Sequence, residues 1–233
     1  MFENGLRFMS STEEREKEWL KRVGNPARLA AIGGEGVALS VDALRTMRPG
    51  TDYTVMAYVD REGGSSGTAE RHAFEEGREQ VYRAVMEELK RGVIREYKRV
   101  ICFDHDVLAN DSSLKSGVLR VGEGPGTIQR NMGEHCGLMM ETKGCSIYVA
   151  PVVLRSATVA LYGADKVLLL IETVHQETGA LTFGGGALWF HDPPNGEIIE
   201  QFRQIERATE RRMVAVHKII FPEDEPTSVL AAR

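Results

Sequence analysis

The chain has 233 residues, of which 42% are apolar, 27% charged and only 7% aromatic, and its 29 Lys and Arg against 34 Asp and Glu leave a net charge of −5. That balance belongs to a globular chain long enough to bury a core; it excludes a disordered chain, a collagen-like fibre and a disulfide scaffold. It also excludes a whole-surface basic field, so nucleic acid is not an expected partner. Three cysteines, Cys102, Cys136 and Cys145, predict buried thiols in a reducing compartment. The start, MFENGLRFMSSTEEREKEW, has no apolar signal-type stretch, and the expected location is cytoplasmic. The longest apolar runs, 147–154 and 167–171, fall far short of the ~20 residues that span a bilayer, so no membrane association is expected.

In chain order, STEEREKEWLKRV (11–23) predicts a charged helix capped by Ser11 or Thr12. PARLAAI (26–32), with Pro at a first helical position, predicts a second. Ser40 caps a third short helix that stops at Pro49-Gly50. TDYTVMAYV (51–59) is β-branched and aromatic and predicts a strand, and 60–67 an exposed loop. Phe74, Val81, Val85, Met86 and Leu89 recur at helical spacing across 69–91, with Gly92 as the stop. RVICF (99–103) predicts a buried strand, so strand, long helix and strand make an α/β layer with a parallel pair.

Beyond it, 104–126 reads as loop with a short strand at VLRV (118–121), and 127–142 as a helix begun at Thr127. Strands are predicted at 145–154, 157–163, 166–174 and 180–190, with a hairpin turn at Gly163-Ala164-Asp165. The turn DPPNG (192–196) leads to a helix over 197–213, and VHKIIF (216–221) predicts an edge strand. The chain divides into a helical N-terminal segment (1–49), an α/β domain (50–221) and a flexible tail (222–233).

This order, and the stretch IYVAPVVLRSATVALYGADKVLLLIE within it, resembles the central hairpin of phospholipase D-like domains. There one strand carries His-x-Lys-x4-Asp and the next is apolar. The resemblance covers roughly residues 50–215 and implies a mixed sheet flanked by helices. If Asp165 takes the place of the motif's Asp, Thr158 and Ala160 fall on its His and Lys, and no His-x-Lys occurs in the chain. The family's chemistry needs that His as nucleophile and that Lys against phosphate charge. The resemblance therefore implies a silent relative, a regulatory or interaction protein that senses a ligand or docks a partner. It further implies a homodimer paired about the hairpin, with a small anionic ligand or protein partner near Arg130, Arg155, Thr158, Tyr162 and His135. No cofactor and no metal are expected.

The rival enzyme reading rests on ICFDHDVLANDSS (101–113), which resembles the first motif of haloacid dehalogenase-like phosphatases. That resemblance implies Asp104 as nucleophile and Asp106 as general acid around Mg²⁺. Val107 stands where that motif has Gly, and the plain alternative is a strand running into a polar turn. A phosphodiesterase using His135 is a further variant. His135 and Cys136 with Cys145 match no common zinc spacing, and adjacent helical residues diverge too far to share one ion. The glycine runs at 33–36, 122–126 and 184–186 lack the Lys-Ser/Thr of a phosphate loop. GEGPGT precedes a predicted helix, where backbone N–H groups can hold an anion, and the plain alternative is a flexible loop before that helix. Lys90, Arg91, Arg95, Lys98 and Arg99 form a basic cluster expected to be a solvated rim.

Overall fold

The computed structural model describes residues 27–31, 40–41, 43–58, 69–152, 157–174, 181–191 and 196–224. The predicted helix at 11–23, the loop at 60–67, most of the 192–196 turn and the end of the tail lie outside the described residues.

A mixed eight-stranded sheet forms the centre. Its strands are β1 (Ala27–Ala31), β2 (Thr51–Tyr58), β3 (Ile94–Phe103), β6 (Cys145–Pro151), β7 (Ala157–Tyr162), β8 (Lys166–Val174), β9 (Leu181–His191) and β10 (Val214–Ala215). They lie in the order β1-β9-β8-β7-β2-β3-β6-β10. β3 runs parallel to β2 and β6, and the remaining pairs are antiparallel. Helix α1 (Ala69–Lys90) makes the crossover from β2 to β3, the connection that a parallel pair requires. Between β3 and β6 lie α2 (His105–Asn110), α3 (Ser112–Lys115), β4 (Val118–Val121), β5 (Thr127–Ile128) and α4 (Arg130–Glu141). Helix α5 (Glu197–Glu210) follows β9, and β11 (Lys218–Ile220) joins β4 and β5 in a small parallel sheet.

Side chains alternate across each strand and so sort into two layers. Tyr53, Val55, Tyr97, Ile101, Phe103, Ile147, Val149 and Tyr162 face Val85 of α1 and Met132, Cys136 and Met139 of α4. Met56, Val100, Cys102, Val159, Leu161 and Val167 face Ile199 of α5, with Phe202 and Ile205 beside it. At fully buried positions such as Ile101, Leu161 and Ile199, apolar burial contributes roughly 1.5–3 kcal/mol per side chain. On the α5 side one polar assembly interrupts the apolar layer. Thr54 Oγ1 donates to Glu206 Oε1 at 2.9 Å, and Arg203 donates to Glu206 Oε2 at 2.6 Å and to the Gly163 carbonyl. Lys98 reaches Glu206 and Glu210. Burial would raise the Glu206 carboxyl pKa, but Arg203, Thr54 and Lys98 outweigh it and hold the group below its ordinary value.

The predicted hairpin is present: Ala157 pairs with Ile171 and Tyr162 with Lys166, and Gly163 turns the chain at φ 64°. Several local readings are corrected. Residues 27–31 are a strand, not a helix; Arg28, Leu29 and their neighbours pair with β9, whose edge outweighs the weak helical preference of an Ala-rich stretch. Two short helices occupy the supposed loop after Asp104, the second capped by Asp111, which accepts from Ser113 N at 2.8 Å and Leu114 N at 3.1 Å. GEGPGT leads into β5 rather than a helix, because Thr127 and Ile128 pair with Arg120 and Val121, and α4 starts only at Arg130. The basic cluster is a solvated rim only in part: Lys90, Arg91 and Arg95 are exposed, Arg91 pairing with Glu88 and Arg95 with Asp52, whereas Lys98 is half-buried and Arg99 is 4% exposed.

Candidate functional site

Strand alternation puts Tyr97, Arg99, Ile101 and Phe103 of β3 on the face covered by α1 and α4. Arg99 is thereby driven under the helices. Its Nη2 donates to Tyr82 Oη of α1 at 2.9 Å and its Nη1 to Tyr97 Oη at 3.1 Å. The guanidinium also lies over the Tyr82 ring, 4.9 Å from its centroid, within cation–π reach. Its Nε is buried without a hydrogen-bond partner, and no carboxylate forms an ion pair with it among the described residues. Burial would lower the Arg99 pKa, but the Tyr82 and Tyr97 hydroxyls and Cys136 outweigh it and keep the group above its usual value. It remains a buried cation among neutral partners.

His135 of α4 completes this assembly. Its ring stacks on Tyr82, with centroids 3.9 Å apart, and its Nε2 lies 3.3 Å from Tyr97 Oη. Tyr97 Oη, which accepts from Arg99, is therefore shared between the guanidinium and the imidazole. Burial, then the Arg99 charge, pushes the His135 pKa down to about 2. The aromatic contacts continue along the sheet. Tyr97 stacks on Tyr53 at 5.3 Å between centroids, and Tyr53 meets Tyr162 at 4.8 Å. Tyr162 also hydrogen-bonds Tyr53 and Ser40, and burial raises its phenol to about 12 despite those bonds. Burial raises the Tyr97 pKa as well, and burial and Tyr162 raise that of Tyr53, so the phenols are neutral at ordinary pH. Tyr162 also lines a surface cleft of about 320 Å³, with Arg48, Asp52, Arg95, Lys166 and Arg203 among its other lining residues.

The residues singled out from sequence are thus dispersed. His135 and Tyr162 stand at two ends of one aromatic chain. Thr158, half-buried and paired with Leu170, lies on the same strand as Tyr162, four residues away. Arg130 stands at the exposed start of α4 and clasps Glu223 with two bonds of 2.9 Å. Arg155 lies outside the described residues. Asp104 precedes α2 at the C-terminal end of β3, and the side chain of Asp106 is 98% exposed, 4.0 Å from His105 Nδ1. Among the described residues no group of three His, Cys, Asp or Glu is placed to hold a metal ion, and no helix is long and apolar enough to cross a membrane. Sequence reading missed Arg99 as a site residue. The signal was available in the same-face series Tyr97, Arg99, Ile101, Phe103, where a charge interrupts an inward row.

No family model matches the sequence, and none of the curated proteins matches it. Among solved structures the chain is similar to Nuc, a phospholipase D family member from Salmonella typhimurium. The TM-score is 0.40 at 13% identity, over 77% of this chain and 90% of that one. A likeness of that size transfers neither site nor activity.

Proposed function

We propose that this chain is a non-enzymatic regulatory or interaction protein on a phospholipase D-like scaffold, acting in the cytoplasm as a homodimer and sensing a small anionic ligand or docking a protein. The observation that carries this reading is the closure of the Arg99 assembly. A cation suited to phosphate is present, yet it is covered by α1 and α4 and bonded to two phenols instead of facing a substrate. His135, 3% exposed and neutral to very low pH, is poorly suited to general base catalysis near neutrality, where a base needs access and a pKa near the working pH. The scaffold part of the reading is supported by the element order and the 157–174 hairpin, and the silent part by the lack of any His-x-Lys.

A second reading keeps one favourable observation. Asp104 sits at the C-terminal end of a central parallel strand, where ligands commonly bind in open α/β sheets. In that reading Asp104 and Asp106 serve a Mg²⁺-dependent phosphatase. The two are separated by hydrolysis of p-nitrophenyl phosphate and bis(p-nitrophenyl) phosphate with Mg²⁺. No protein-dependent turnover is expected. Turnover that disappears in Asp104→Asn makes the chain an enzyme.

A further inference from the structure

The cleft at the other end of the sheet lies where β2 begins, beside the β7–β8 turn and Arg203 of α5. Its wall is held in place. Gly163 N donates to the Asp52 carbonyl at 2.8 Å, and Arg203 donates to the Gly163 carbonyl from the other side. Gly163 takes φ 64°, and a Cβ there would come within 2.5 Å of Thr51 Cγ2. The turn is therefore clamped between β2 and α5 before any ligand arrives, which lowers the ordering cost of binding.

The charge of the lining runs against that of the chain. Four cations, Arg48, Arg95, Lys166 and Arg203, face two carboxylates, Asp52 and Asp165, in a protein of net charge −5. Arg95 is taken by Asp52 through two bonds of 2.9 and 2.6 Å. Arg203 is shared between Glu206 and the Gly163 carbonyl. Arg48 and Lys166 have no ion-pair partner among the described residues. Two cations without an ion-pair partner among the described residues, with the Asp165 carboxylate nearby, suit an anion at a concave site, and Tyr162 and Met47, both buried, complete the lining. The volume of about 320 Å³ lies at the small end of ligand sites.

We propose that this cleft binds a small organic phosphomonoester, its phosphate between Arg48 and Lys166 and its ring or chain toward Tyr162 and Met47. The proposal rests on the ligand-sensing reading above and names the ligand class. It concerns binding only, so an enzyme at Asp104 would leave it standing, and a missing ligand here would leave the chain free to dock a protein.

The test is calorimetric titration of the full chain with phenyl phosphate at low ionic strength. Saturable one-to-one binding is expected. Arg48→Gln and Lys166→Gln should each weaken it by about tenfold, the loss of one charge-assisted contact. Lys218→Gln, an exposed change on β11 outside the cleft, should leave it unchanged. Phenyl sulfate, a monoanion, should bind more weakly. Affinity of the unaltered chain should also fall as salt is raised, which reads the same charges without a variant. Absence of saturable heat, affinity unmoved in the Arg48→Gln/Lys166→Gln double variant, or affinity indifferent to salt each overturns the proposal.

Discussion

The ring of His135 lies flat on the ring of Tyr82, planes inclined by 4° and centroids 3.9 Å apart. Burial and then Arg99 keep this imidazole neutral down to a pKa of about 2, against an ordinary value near 6.5 when unfolded. A group with a depressed folded pKa binds its proton in the unfolded state first, so stability is lost as pH falls below about 6.5 and continues to fall toward about 2. Between pH 7 and pH 5 this one residue should cost about 2 kcal/mol of unfolding free energy. Urea denaturation of the wild type and of His135→Phe, which keeps the stack, isolates the effect. The difference between the two slopes against pH should have that sign; parallel slopes would place the titration elsewhere.

Arg99 gives a comparison between two substitutions. Arg99→Met removes a buried charge while filling much of the same volume. Arg99→Lys keeps a buried charge, loses the two-armed reach to Tyr82 and Tyr97, and desolvates a more strongly hydrated group. The Met variant should therefore be the more stable of the two by about 1 kcal/mol or more. The His135 pKa should rise in Arg99→Met while staying below its ordinary range, since burial is the larger cause of its depression and persists. Denaturant unfolding and ring-proton titration by NMR check both statements. A Lys variant as stable as the Met variant would mean that the cation is well accommodated.

Two glycines of α4 should answer alanine in opposite directions. A Cβ at Gly133 would collide with Val121 Cγ2 of β4, whereas nothing lies within 4 Å of a Cβ at Gly137. Gly133→Ala should destabilise by about 1–3 kcal/mol through overpacking. Gly137→Ala should stabilise by about 0.5–1 kcal/mol through helix propensity. Melting temperatures of the pair measure this, and the same sign for both would contradict the packing of α4 on the small sheet.

The thiols should be slow. Burial raises Cys102 to about 12 and Cys136 to about 11, and the half-buried Cys145 to about 11 as well. Since the thiolate is the nucleophile, iodoacetamide at pH 8 should label the unfolded chain far faster than the folded one, with Cys145 first among the three. A rapidly labelled thiol in the folded protein would indicate an accessible site that the packing denies.

Sequence patterns made parts of this molecule legible and left others closed, for identifiable reasons. Helix α1, the 157–174 hairpin and α5 announce themselves because long periodic runs and a Gly-containing turn are local signals. Strand β1 does not, since Ala27–Ala31 acquires its conformation from β9, more than 150 residues away in sequence. Arg99 was hidden by its neighbours: Arg95 and Lys98 are charged and solvent-facing or half-buried, and only the alternation set by Tyr97 and Ile101 places Arg99 inside. The hairpin singles out Tyr162 in the sequence, but the cleft that Tyr162 lines depends on Arg48, Arg95 and Arg203, which three separate elements bring together. No spacing along the chain records that meeting.

The central claim is that this protein receives a ligand without transforming it. It is tested most directly by incubating the protein with phenyl phosphate and Mg²⁺ and following bound ligand and released inorganic phosphate in the same sample. The account predicts saturable binding that depends on Arg48 and Lys166, with no phosphate released above the protein-free rate. Protein-dependent release that vanishes in Asp104→Asn would contradict it and make phosphoryl transfer the function.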